Sequence, residues 1–145
     1  MNHTYHNDMC EFSYPDNWSL DESRTEDGLT ISLQSPYSMF VFVNCYEDPV
    51  DAQDVADQAL EAMRQEYEEL DFESVSERIG SVPAVGHDVN FFSLDLTNTC
   101  WIRAFSAGDH TVLIFAQTND LDLDQGETAF REICASLKLV NSGAV

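Results

Sequence analysis

Three groups of residues in this 145-residue chain have types and spacings that could do chemistry. Trp101, Arg103 and Phe105 alternate along one apolar run, so a strand would set all three on one face. An arginine so placed packs its stem on the rings and meets a carboxylate with its head, or else it recognises an anion beside an aromatic platform. Asp120, Asp122 and Asp124 begin like a calcium loop. The template then fails, because Gly126 falls one position late and Arg131 stands where the bidentate glutamate belongs. These carboxylates read first as complements to the start of the last helix, and second as an unspecific divalent-cation site. His3, His6 and Cys10 are a weaker ligand set, since the two histidines lie in a segment expected to be loose. His87 and His110 fall near turns, no serine has the G-x-S-x-G context, and the six glycines form no phosphate-binding loop. No catalytic set emerges, and no cofactor is expected.

The charge balance narrows the partners. Lys and Arg number 6 against 27 Asp and Glu, a formal charge of −21. Nucleic acid and anionic membrane surfaces both bind through basic residues, so neither suits this field. A basic or neutral protein partner does, and an adaptation of the surface to a salty cytoplasm would produce the same composition. Hydrophobic residues make up 43% of the chain, enough for a core, so the acidity does not signal disorder. Spread over the roughly 7,500 Å² surface of a folded monomer of this mass, the net charges would lie about 19 Å apart, beyond the screening length at physiological salt. Glu66, Glu68, Glu69, Asp71 and Glu73 are closer together and must repel one another at low salt.

The first eight residues are polar, without the basic and apolar segments of a secretory signal, and no apolar run approaches a membrane span. The chain is therefore expected in the cytoplasm. Its cysteines, at 10, 45, 100 and 134, are scattered and read as buried thiols and not as a disulfide framework.

These residues need elements to position them. Met9 to Tyr14 reads as a strand stopped at Pro15, and Gly28 to Leu33 alternates with the period of a half-buried strand. Met39 to Val43 is apolar on both faces and should be covered on both. Asp51 starts a helix over about 52–70 that presents Ala52, Val55, Ala56, Ala59, Met63, Tyr67 and Leu70 to a core. Phe72 to Arg78 reads as extended, and Val82 to Gly86 as a bend. Three extended runs follow, at 88–96, 99–106 and 111–118, with turns at Thr97-Asn98 and at 107–110. Folding the hairpins about those turns sets Leu94, Trp101 and Ala116 in one row and Phe92, Arg103 and Ile114 in the next. A last helix over about 123–137 starts at Asp124 with Glu127 in capping-box spacing. The sum is one α+β domain, an antiparallel sheet sandwiched by helices, with 1–8 and 141–145 as loose tails.

Three short stretches, in order, carry a resemblance. Phe12-Ser13-Tyr14-Pro15-Asp16-Asn17-Trp18 looks like the F-x-x-P-x-x-W opening of PsbP-like domains, the fold shared by PsbP, the yeast Ran-binding nuclear import factor and bacterial DcrB proteins. Val82-Pro83-Ala84-Val85-Gly86-His87-Asp88 resembles the family's valine-glycine step into its meander. Phe130 to Lys138 is similar to its closing helix. The resemblance implies an α/β/α arrangement and a binding, assembly or chaperone-like module that is not an enzyme. One branch chaperones membrane-inserting effector segments, but Asn44-Cys45-Tyr46-Glu47 lacks the arginine expected there. The leading expectation is thus a protein-binding module. The alternative is a small-molecule or cation binder using the Trp101/Arg103 face or the Asp120 to Asp124 loop.

Overall fold

The computed structural model describes residues 2–79, 82–106 and 108–139. Alternation along β4 (Gly28–Gln34) buries Leu29, Ile31 and Leu33 and leaves Thr30 and Ser32 half-buried, the pattern of a strand packed on one face. It pairs with β3 (Ser19–Arg24) on one side and β5 (Phe40–Tyr46) on the other. Asp51 caps α1 (Ala52–Glu66), its carboxylate accepting from the Asp54 N–H at 3.0 Å. Then come β6 (Leu70–Ile79), β7 (Val82–Ser93), β8 (Leu96–Ser106) and β9 (Thr111–Asn119), a meander in which each strand pairs antiparallel with the next. β9 returns to β5, which closes a seven-stranded sheet in the order β3-β4-β5-β9-β8-β7-β6. The last helix, α2 (Leu123–Ser136), runs into β10 (Lys138–Leu139).

A second sheet joins β10 to β2 (Cys10–Pro15) and β2 to β1 (Asn2–His6). α1 covers β7, β8 and β9 on one face of the large sheet, while α2 and the small sheet cover the other. This is the α+β sandwich that the order of elements predicts.

Several local expectations need correction. Residues 2–6, expected as part of a loose tail, form β1; its polar sequence gives no strand signal, and its order comes from pairing with β2. Residues 141–145 lie outside the described residues. Val82 to Gly86 is no bend but the first part of β7, paired with β6. The β7–β8 turn is Leu94-Asp95, not Thr97-Asn98, with both residues at positive φ of 54° and 63°. Such primed turns usually carry Asn or Gly, so Leu-Asp hides it. The change sets Trp101 opposite Asp88 and Arg103 opposite Gly86. The β8–β9 register is the expected one, Trp101 with Ala116, Arg103 with Ile114 and Phe105 with Val112, although Ala107 of that turn lies outside the described residues. α1 also buries Leu60. α2 is capped at Asp122 and not at Asp124, with no side-chain bond to its own turn.

Candidate functional site

Trp101, Arg103 and Phe105 do share a face, and that face is closed: they are 3%, 0% and 0% exposed. The Phe130 ring of α2 stacks on Trp101 with centroids 5.1 Å apart and planes 11° apart. Arg103 and Arg131 both place their guanidinium groups by the same ring, at 5.9 and 5.4 Å. Arg103 Nη2 donates to Asp88 at 2.8 Å and to Glu77 at 3.3 Å, and its Nη1 donates to the carbonyls of Ile102 and His87. Glu77 uses its other oxygen for Arg131, at 2.8 Å. The register that brings Asp88 beside Arg103 also needs Gly86, where a Cβ would stand 1.7 Å from the Ile102 carbonyl oxygen. The cation is held by carboxylates and carbonyls under an aromatic lid, a core network with no opening for a ligand.

The acidic loop is dispersed. Asp122 accepts from the Ser38 N–H at 3.1 Å, and Asp120 is tied by its own N–H to the Thr97 carbonyl. Among the described residues no three His, Cys, Asp or Glu side chains are grouped to hold a metal ion, and this includes His3, His6 and Cys10. The two later histidines are buried connectors. His110 bonds the Met9 carbonyl and Asp109, which joins the start of β9 to the small sheet. His87 lies inside β7, its Nδ1 3.1 Å from Ser74 Oγ and its Nε2 2.8 Å from Asp57. The contact holds the Asp57 carboxyl below its ordinary range. Serine, histidine and aspartate are in line, but the ring is reversed relative to hydrolytic triads, in which Nε2 faces the serine. Ser74 sits on a pleated strand with no strained elbow, and the set fastens α1 to the edge of the sheet.

The open region lies elsewhere. β5 sends Val41, Val43 and Cys45 into the core under α2, all at or below 1% exposure. Its other face, expected to be covered, is not: α1 packs over β7 to β9 and stops short, leaving Phe42 37% exposed. Phe40, Phe42 and Phe115 form a triangle of rings with centroids 5.3 to 6.4 Å apart. A groove of about 450 Å³ runs from these rings along Ala59, Met63 and Tyr67 of the α1 side, with Glu66 on its wall. It adjoins a second hollow of about 410 Å³ that shares Phe40 and Phe42 and reaches Leu20 and Asp21 on β3. Sequence reading missed this site because it follows from which strands a helix is packed over. The doubly apolar pattern of residues 39–43 was the one available signal.

No protein-family model matches the chain, and no curated protein matches it by sequence. Solved structures do. The solution structure of the cyanobacterial PsbP (CyanoP) of Synechocystis sp. PCC 6803 is similar at a TM-score of 0.66 and 13% identity, over 96% of this chain and 91% of that one. A point mutant of the protein Mog1 is similar at 0.63 and 8%, over 98% and 97%. A protein from Bacteroides thetaiotaomicron is similar at 0.64 and 13% over 92% of this chain, which spans 46% of that longer protein. Identities this low speak for architecture alone, and with the topology above they establish that the chain carries the PsbP-like fold.

Proposed function

We propose that the chain is a non-enzymatic, cytoplasmic protein-binding module that docks a basic, amphipathic helical segment of a partner on the Phe40/Phe42/Phe115 groove. The observation that carries this reading is an aromatic floor only part-covered by α1, with Phe42 exposed, between walls bearing Glu66 and Asp21. Isolated exposed apolar residues are ordinary, but three contiguous rings in a groove mark a contact surface. The walls and the net charge of −21 choose the sign of the partner. Apolar side chains at i, i+3, i+4 and i+7 of a helix would meet the rings, and flanking Lys or Arg would meet the acids.

The test uses a synthetic helix with Leu and Phe at that spacing and Lys elsewhere, titrated against the full chain by calorimetry at low and high salt. Saturable binding that weakens with salt and falls at least tenfold in Phe42→Asp supports the reading. Equal binding to Phe42→Asp, or equal binding of a Glu-substituted helix of the same apolar pattern, overturns it. The Trp101/Arg103 face gives the alternative reading no support, because it is sealed.

A further inference from the structure

Cys10 and Cys45 come from different sheets, β2 of the small one and β5, an interior strand of the large one. Their sulfurs lie 3.5 Å apart in the core. Among the described residues these are the two thiols in hydrogen-bond contact. Asn7 is fixed beside them: its Oδ1 accepts from the N–H groups of Met9 and Cys10 at 2.7 and 2.9 Å, and its Nδ2 reaches Cys45 Sγ at 3.9 Å. The hydrogen bond from Cys10 lowers the Cys45 thiol against the opposing effect of burial, and Asn7 adds to the lowering. The same contact, with burial, raises Cys10. The pair is therefore differentiated into a more acidic sulfur and a protonated neighbour, the division of roles that thiol oxidation uses. Both sulfurs are buried, and Asn7, which touches Cys45, lines a cleft of about 250 Å³ with Met9 and Leu29. That cleft has room for a molecule as small as hydrogen peroxide.

We propose that Cys10 and Cys45 form an oxidation site at which a hydroperoxide produces a disulfide between the small sheet and an interior strand of the large one. The Cys45 thiolate attacks a peroxide oxygen; an S–O bond forms, the O–O bond breaks, and the departing hydroxide or alkoxide takes the proton released by the Cys45 thiol. The Cys10 sulfur then attacks the sulfenic sulfur; the S–S bond forms, the S–O bond breaks, and hydroxide leaves with the Cys10 proton as water. Two thiols lose two electrons and one peroxide gains two. Closing to the ~2.05 Å of a disulfide moves the sulfurs by about 1.5 Å, within reach of side-chain rotation and small strand shifts. The bridge closes a loop from residue 10 to residue 45, restricts the unfolded chain and raises Tm by on the order of 5–10 °C. In a reducing compartment such a bond is a transient response and not a fixed part of the structure.

The experiment exposes the folded, full chain to hydrogen peroxide, then reads intact mass before and after alkylation, peptide map and Tm. The expected result is a loss of about 2 Da before alkylation and two fewer alkyl groups after it, a Cys10–Cys45 linked peptide, and a rise in Tm reversed by dithiothreitol. The Cys100→Ser/Cys134→Ser variant should respond in the same way. Dimedone added during wild-type oxidation should trap Cys45 first, and Cys10→Ser should accumulate that adduct. Retention of all four thiols, linkage through Cys100 or Cys134, oxidation only in urea, or first trapping at Cys10 would each overturn the proposal.

Discussion

The two faces of the large sheet carry similar aromatic material and come to opposite ends. On the α2 side, Trp101, Phe105 and Phe130 are at or below 3% exposure, and the buried Arg103 gives its two terminal nitrogens to two carboxylates and two carbonyls while its Nε lacks a hydrogen-bond partner among the described residues. On the α1 side, Phe40, Phe42 and Phe115 meet one another and then solvent. Residue type does not separate these regions. What separates them is the placement of the covering elements: α2 and the small sheet close over the Val41, Trp101 and Ile114 face, whereas α1 lies over β7 to β9 and leaves Phe42 exposed. An arginine among aromatics is a core feature when a helix closes over it, and a plain phenylalanine becomes a surface when none does.

Substitutions can break or sharpen that contrast. Phe130→Ala removes the ring shared by Trp101, Arg103 and Arg131, and should cost about 3–5 kcal/mol in urea unfolding. Arg103→Ala should cost about 3 kcal/mol, since Glu77 and Asp88 lose their buried partner but keep access to water. Arg103→Met, which retains apolar volume, should cost less. A loss as large from Met as from Ala would put the value of that face in its charges and not in its packing. On the open face, Phe42→Asp should change stability by less than about 1 kcal/mol while removing binding of the basic helix. A core-sized loss of stability there would mean that the groove is part of the core and erase the contrast.

The smallest effect belongs to the Asp57–His87 contact at the rim of α1. Its aspartate is 54% exposed, so Asp57→Asn should cost no more than about 0.5–1 kcal/mol at pH 7. The folded carboxyl is held below its unfolded value, so its contribution is complete above the ordinary carboxylate range and is lost as pH falls through the folded value. Urea titrations of wild type and variant at pH 7 and pH 3 should therefore converge on the acid side. A gap of unchanged size at pH 3 would show that the aspartate acts through packing.

Much of this architecture is legible in the residues themselves. Period-2 alternation marks β4, Asp51 marks the start of α1, and the glycine-containing corner before His110 sets the β8–β9 register correctly. What escapes is what depends on partners. β1 is a polar run made a strand by β2, and Leu94-Asp95 adopts a turn that its composition does not announce. Cys10 and Cys45 meet across 35 positions, and no local pattern foretells it. The candidate groove is hidden for the same reason, because exposure there depends on where a neighbouring helix is placed.

The place of β5 in the strand order also bears on how the chain comes together. β5 is made early, yet one of its two edges must wait for β9, beyond α1 and three further strands. Until β9 leaves the ribosome, β3, β4 and β5 form a three-stranded ribbon whose last strand presents unpaired backbone and the apolar Val41, Val43 and Phe42. Pairing at such separation carries a large loop-closure entropy and slows folding. The same strand that makes the finished sheet continuous is thus the nascent chain's most association-prone edge, and the helix made directly after it is the first element able to shield part of its surface.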